Sequence, residues 1–460
     1  MALRSLDPDR VPEPVRGILA RLKTAGHRAY LVGGCVRDLI RGRDVVDWDV
    51  GTSARPGQVL DLFPHAVPTG LKHGTVTVVA ASGPCEITTF RTESGYSDAR
   101  RPDQVTFVED VEADLARRDF TVNAIAWDPE ARHEVDPFGG RADLAARVLR
   151  AVGDPAVRFR EDGLRPIRAA RFAATLEFAI DPETFAALGG ARDQVRRVAA
   201  ERVRDELKKM LAAPKPSIGL EVLRRSGLLA LVLPELEACV QVPQNRYHAY
   251  DVYVHTLHTT DAAPAEKPLV RLAALFHDVG KPSTRAEKEN GDATFYNHQF
   301  ESARLAEAAM TRLRFSRDEI QTVVHLVRQH MFDYRPEWTD ATVRRFVRSV
   351  GVEHVADLFD LRIADNVGNG LKTGFPHYLE ELSRRIGGVL AAAEALTVRD
   401  LKVDGADVMR ELGVPPGPKV GGVLDRLLEA VLEDPRLNDR EKLLTRIREG
   451  FPVDMGGSRD

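Results

Sequence analysis

Two carboxylates one residue apart, Asp47 and Asp49, stand in the run Asp44–Thr52 (DVVDWDVGT). Valine and tryptophan around them predict a strand, and strand side chains at i and i+2 share a face. Carboxylates converging on one side repel each other unless a cation neutralises them. Mg²⁺ suits such a pair, because it takes hard oxygen ligands and leaves positions open for phosphate. Two such ions can clamp the attacking and leaving oxygens of a phosphoryl transfer. Upstream, Gly33 and Gly34 follow a strand-like run and precede a helical one, Cys35–Ile40. Glycines there let the backbone approach a ligand, and the helix start offers free N–H groups to a phosphate. Arg37 and Asp38 follow at once. Asp-x-Asp alone is common on surfaces; Gly-Gly, Arg-Asp and Asp-x-Asp in order within about twenty residues is far more specific.

A second constellation comprises His255, His277, Asp278, His298, His330 and Asp365. At its centre is ALFHDVGKP, Ala274–Pro282, where adjacent His and Asp supply nitrogen and oxygen ligands at one helix end. The remaining ligands must come from other helices, and His325 fits the local pattern as well as His330 does. A third group is Glu161, Asp162 and Arg165, at helical spacing i, i+1 and i+4. Asp162 and Arg165 then share a helix face. A carboxylate accepts hydrogen bonds and a guanidinium donates in a rigid fork. Such a pair matches the Watson–Crick edge of C or A, each an exocyclic amine beside a ring acceptor, and mismatches G and U. The plainer alternative is an i, i+3 ion pair worth about 0.2–0.5 kcal/mol. Pro166 either kinks this helix or marks the start of one.

The elements that must position these groups fall into two textures. In the first 150 or so residues, short β-rich runs such as Ala29–Val32, Thr75–Ala80 and Glu86–Phe90 alternate with glycines. From about Val148 helical periodicity dominates, as in Glu201–Leu211 with Val203, Leu207, Met210 and Leu211 on one face. Pro214, Pro216, Pro234 and Pro243 mark helix ends, and Gly413–Pro418 a turn between late helices. Residues Asp454–Asp460 read as frayed. The fold class is α+β, an α+β head followed by an all-helical body. Its 460 residues suggest roughly three domains. With 65 basic against 69 acidic residues and a net charge of −4, a wholesale basic coat is excluded, but a local basic face is not. No run of about 18 apolar residues exists, so no membrane span is expected, and the N-terminus lacks the apolar core of a signal peptide. Cys35, Cys85 and Cys239 form no CxxC pair, which points to a reducing cytoplasm.

GGCVRDLIRGRDVVDWDVGT resembles the signature of the tRNA nucleotidyltransferase and poly(A) polymerase family, in its bacterial (class II) CCA-adding form. Further segments match in order: Phe90–Val108, Arg117–Ala126 (RRDFTVNAIA), Asp136–Pro155 and Glu161–Phe172 (EDGLRPIRAARF), together spanning about residues 25–215. The resemblance implies a polymerase-β-like nucleotidyltransferase head with a small mixed sheet (1–147) and a helical neck bearing the base-selection motif (148–235). The order H…HD…H…H…D resembles the HD-type metal phosphohydrolase domain, here 236–370, and a helical, tRNA-binding tail would occupy 371–460. By this resemblance Asp47 and Asp49 hold Mg²⁺, with Glu86 the candidate third acid. Gly33, Gly34 and Arg37 line the triphosphate. Arg118, Asp119 and Asn123 contact sugar and phosphates, and Asp162, Arg165 and Arg168 belong to the neck's nucleotide site. Arg117 reads as a solvated partner of neighbouring acids. His255, His277, Asp278 and Asp365 would bind one divalent transition metal (Ni, Mn, Co or Fe), and His298 and His330 would help hold a second. Arg168, Arg171, Lys208 and Lys209 are candidates for tRNA phosphate contacts.

The implied activity is template-independent addition of C, C and A to tRNA 3′ ends from CTP and ATP, with phosphohydrolysis in the HD-type domain. A CC-only or A-only enzyme, a poly(A) polymerase, and an RNA-end phosphohydrolase with a degenerate head stay open. The loop that would separate the adding specificities lies near Ser94–Arg101. A monomer or homodimer is expected.

Overall fold

A computed structural model describes residues 3–71, 74–80, 83–95, 104–289, 291–372, 375–392 and 395–450. Most of the specificity loop near Ser94–Arg101, and all of Asp454–Asp460, lie outside the described residues. The chain divides into two compact units, Met1–Val242 with Glu307–Ile320, and Pro243–Ala306 with Gln321–Asp460.

In the head the strands are β1 (Ala29–Val32), β2 (Trp48–Thr52), β3 (Val67–Gly70), β4 (Thr75–Ala80), β5 (Gly83–Thr89), β6 (Arg91–Ser94), β7 (Gln104–Phe107), β8 (Ala126–Asp128) and β9 (His133–Val135). Seven of them form one sheet in the order β3-β4-β5-β2-β1-β8-β9, and β6 pairs with β7. β2 and β5 run parallel, and the sheet's other pairs are antiparallel, so the sheet is mixed as expected. The parallel register sets Asp49 opposite Glu86. β-Branched residues supply the sheet's buried face: Val50, Val76 and Ile87 are fully buried. The Gly34–Ile40 helix follows β1 directly and buries Cys35, Val36, Leu39 and Ile40.

The neck is helical except for one short parallel pair, Val148–Leu149 with Ala179–Ile180, where an all-helical neck was expected. Ala200–Leu211 buries Val203, Leu207, Met210 and Leu211, the face its periodicity predicts, and each such side chain contributes about 1.5–3 kcal/mol. The expectation that Asp162 and Arg165 share one helix face is overturned. One helix, Pro155–Glu161, ends before Asp162, whose backbone is extended, and the next, Arg165–Leu176, begins after it with Pro166 in its first turn. Gly163 sits in the break because a Cβ there would lie 2.3 Å from the Gln194 carbonyl oxygen.

The second unit is almost wholly helical. Val252–Ala262, Pro268–Phe276, His298–Arg312, Arg317–Gln329 and Val355–Gly368 surround the histidine cluster. One apolar core extends from Tyr334 to Ile447 and includes Val347, Leu382, Leu427 and Leu443. It therefore crosses residue 370, where the tail was expected to begin. Gly413, left-handed, closes the Gly405–Leu412 helix, and Pro418 opens the helix after the turn. No described helix is long and apolar enough to cross a membrane.

Candidate functional site

In the first unit Asp47 stands just ahead of β2 and is exposed, Asp49 is half-buried within it, and Glu86 faces outward on β5. All three border an open cavity of about 720 Å³. Burial raises the Asp49 carboxyl to about 6; Arg118 opposes that rise, and Glu86 and Asp47 add to it. Asp49, with Asp47 and Glu86 crowding negative charge around it, forms a donor set that a hard divalent cation would relieve.

Opposite these acids the cavity is basic, with eight arginines in its wall. Gly33 has φ +76°, and a Cβ there would lie 2.5 Å from Arg118 Nη1, so the turn into the helix admits only glycine. Arg37 is braced by Asp38 at 2.7 Å and donates to Asn123 Oδ1 at 2.7 Å. Asn123 in turn donates to Asp119 at 3.1 Å, and Arg168 pairs with Asp119 at 2.6 Å. Burial works against the Asp119 charge, but Arg168 and Asn123 prevail and hold its carboxyl well below the usual range. The result is a connected polar lattice in which Arg37, Asn123, Asp119 and Arg168 orient one another.

Asp162 and Arg165 both reach this cavity, yet they do not pair. Arg165 meets Glu161 at 2.5 Å and donates to the carbonyls of Arg158 and Arg117, each at 3.0 Å. Asp162 instead accepts two hydrogen bonds from Arg202, at 3.2 and 2.7 Å. Arg202 lies 40 residues downstream, and no local pattern connects it to Asp162. A weak signal exists in hindsight: Arg202 and Glu206 are four apart on a helix, and Glu206, only 4% exposed, anchors Arg171 at 2.5 Å. Arg117 has acidic partners as expected, Glu93 at 3.1 Å and Asp114 at 2.9 Å, but it is not solvated, since Asp114 is buried and the Arg117 side chain is 17% exposed. Arg168, Arg171 and Lys208 each already hold a carboxylate, Lys208 that of Glu319 at 2.7 Å.

In the second unit the six ligand candidates converge. His277, His298 and His330 each direct Nδ1 at a backbone carbonyl, of Ala274, Phe295 and Val327, at 2.7, 2.7 and 2.6 Å. A carbonyl only accepts, so Nδ1 carries the hydrogen and Nε2 presents a lone pair. Those Nε2 atoms crowd together: His255 and His277 at 3.1 Å, His298 and His330 at 3.3 Å. Asp278 reaches both pairs, with Oδ2 at 3.2 and 3.1 Å from His255 and His277, and Oδ1 at 3.3 Å from His298. Oδ2 is nonetheless in hydrogen-bond geometry with neither imidazole. The atoms aim at shared points between them, as ligands aim at an ion. Asp365 Oδ1 closes the first group at 3.2 Å from His255.

Two donor sets result, His255–His277–Asp365 and Asp278–His298–His330. Asp278 thus lies between the two, whereas the resemblance to the HD-type domain places it with the first alone. His325 lies outside both; its Nε2 meets the Val350 carbonyl at 2.6 Å. Burial disfavours a charged His255, but the Asp278 and Asp365 carboxylates, each 3.2 Å away, outweigh it and push its pKa up to about 9. Burial, then the neighbouring His277 and His298, push His330 down to about 3. A proton on His255 thus does part of what a cation would do, and the nitrogen-rich donor set fits a transition metal.

Three family models match the chain: "Poly A polymerase head domain" over residues 29–150, "Probable RNA and SrmB- binding site of polymerase A" over 177–240, and "HD domain" over 246–370. A CCA-adding enzyme of Geobacillus kaustophilus is 36% identical over 432 residues, covering 94% of this chain and 95% of that one. The crystal structure of the Bacillus stearothermophilus CCA-adding enzyme in complex with CTP superposes with a TM-score of 0.71 at 31% identity, covering 95% and 98% of the two chains. A Thermotoga maritima CCA-adding enzyme complexed with tRNA shares the fold, with a TM-score of 0.55 at 20% identity over 97% and 98%.

Proposed function

The chain belongs to the CCA-adding enzyme family, and from that premise we propose that it adds C, C and A to tRNA 3′ ends from CTP and ATP without a nucleic-acid template. The observation that carries this reading is the Asp49–Glu86 pair across β2 and β5, with Asp47 beside it, facing an arginine-rich cavity. The tRNA 3′-hydroxyl attacks the α-phosphorus, its new P–O bond replaces the one to the β-phosphate, and pyrophosphate leaves. Mg²⁺ held by Asp47, Asp49 and Glu86 would polarise the α-phosphate and acidify the hydroxyl. Gly33, Gly34, Arg37 and Arg118 receive the triphosphate. Asp119 and Asn123 orient the sugar, with Arg168 holding Asp119. Asp162 and Arg165 read the base from two adjoining segments, each fixed by its own partner. Their donor and acceptor groups fit C and A and leave G and U mismatched.

The test supplies tRNAs ending at the discriminator base, at C and at CC, each with CTP, ATP or both, and sizes the products. Completion of all three to CCA is expected. Stalling after CC, extension only of the CC substrate, or a long A tail would assign the chain to a partial adder or a poly(A) polymerase.

A second reading rests on the His/Asp cluster: metal-dependent phosphoester hydrolysis in the body, on RNA ends carrying 2′,3′-cyclic phosphate. His255, His277, Asp278 and Asp365 would hold one ion, and His298 and His330 would help hold a second, of Ni, Mn, Co or Fe. Such an ion would make a water acidic enough to attack at neutral pH. Water's oxygen bonds to phosphorus, one ring P–O bond breaks, and the freed ribose oxygen takes the proton. Absence of turnover of 2′,3′-cyclic AMP with Ni²⁺, Mn²⁺ or Co²⁺ would remove this reading.

A further inference from the structure

The cavity above the His/Asp cluster has a volume of about 380 Å³, within the range of about 300–1,000 Å³ of small-ligand pockets. Its floor is His277, Asp278, His298, His330 and Asp365, and its wall carries chemistry that hydrolysis alone does not require. Tyr247 and Tyr296 line it while standing 61% and 73% exposed. Tyr296 makes no hydrogen bond or ring contact among the described residues. Tyr247 is braced from one side: Arg246 lies 5.2 Å from its ring centroid and donates to its hydroxyl at 3.2 Å. Lys288 and Lys372 line the same cavity, both exposed and neither in an ion pair among the described residues. Lys281, by contrast, is spent inside, bound to Asp278 at 2.7 Å and Gln244 at 2.6 Å.

Polar metal ligands below, open aromatic faces and unpaired cations above: this ordering matches a nucleotide entering phosphate first. We propose that the body's cavity selects the terminal nucleotide of an RNA strand, with its phosphate at the His/Asp floor, its base against Tyr247 and Tyr296, and the preceding phosphate near Lys288 and Lys372. Aromatic rings stack any base, so the site distinguishes a nucleotide from a base-free phosphoester without reading sequence. This rests on the hydrolytic reading for the identity of the reacting group, but the base platform is a separate claim about binding.

The test compares the full chain with its Tyr296→Ala, Tyr247→Ala and Tyr247→Phe variants, loaded with Mn²⁺. Two readouts are taken: hydrolysis of 2′,3′-cyclic AMP against glycerol cyclic phosphate, and equilibrium binding of adenosine 2′-monophosphate against glycerol phosphate. Loss of a stacking face should weaken the adenosine ligands by about tenfold, leave the glycerol ligands within twofold, and be rescued by Tyr247→Phe. CCA addition to tRNA, unchanged in all variants, reports an intact fold; nucleotide binding in the head is common to all and cancels in the difference. Equal weakening of both ligand classes, or none of either, overturns the platform. Tyrosine-dependent binding without any turnover would retain the platform and remove the hydrolytic reading.

Discussion

The head cavity and the body cluster hold their acids in different company. In the head, Asp47 and Glu86 are exposed, Asp49 is half-buried, and the facing wall is arginine. In the body, Asp278 is 1% exposed and three of its neighbouring imidazoles, His277, His298 and His330, have Nδ1 tied to backbone carbonyls at 2.6–2.7 Å. Sheet register aligns Asp49 with Glu86, and no side-chain ion pair answers their charge among the described residues. Hydrogen bonds to the backbone orient the body ligands, and that pre-organisation favours metal capture before any substrate binds.

Replacing the residue between the two donor sets breaks this contrast most severely. Asp278→Ala should remove bound transition metal and all hydrolysis of 2′,3′-cyclic AMP, with tRNA extension intact, as read by elemental analysis and gel. Asp365→Ala, which touches only the first set, should retain part of the metal. Next is the third acid of the head. Glu86→Gln should lower addition by about 10–100-fold and raise the Mg²⁺ concentration needed for half-maximal rate, with metal content of the body unchanged. A smaller effect tests base selection. Arg202→Ala should increase incorporation of UTP and GTP relative to CTP by about tenfold, the worth of one charge-assisted hydrogen bond, in a misincorporation assay.

The smallest effect lies in neither site and sets the baseline for acid sensitivity. Hydrogen bonds from Arg440 hold the Asp407 carboxyl down at about 2, with those from the Asp404 backbone N–H and Arg410 adding to the effect. A depressed folded value means that this stabilisation is complete above the ordinary carboxylate range and is lost as pH falls towards 2. Acid unfolding of the second unit followed by circular dichroism should therefore show a shallower slope between pH 4 and pH 2 in Asp407→Asn.

Much of this was legible in the sequence because it is local. β1, β4 and the helix after Gly33–Gly34 are read from short β-branched runs and paired glycines, and the structure places them within a residue of those runs. Asp49 and Glu86 meet because one parallel register sets them opposite each other, and Asp47 stands just ahead of the same strand. The base-reading group was misjudged because its geometry is not local. Helical spacing put Asp162 beside Arg165, but Gly163 packs against the Gln194 backbone and Pro166 opens a new helix, so each found a different partner. The position of Asp278 between two donor sets was hidden for a similar reason: ligand order along a chain does not say which oxygen faces which helix.

The most direct test of the central claim is the single-turnover rate of AMP addition to a tRNA ending in CC by Asp49→Asn, which keeps the side chain's shape and removes its charge. A fall of about a thousandfold, with ATP affinity within a few-fold of the parent chain, is the predicted result. A rate within a few-fold of the parent chain would contradict the assignment of nucleotidyl transfer to the β2–β5 carboxylates.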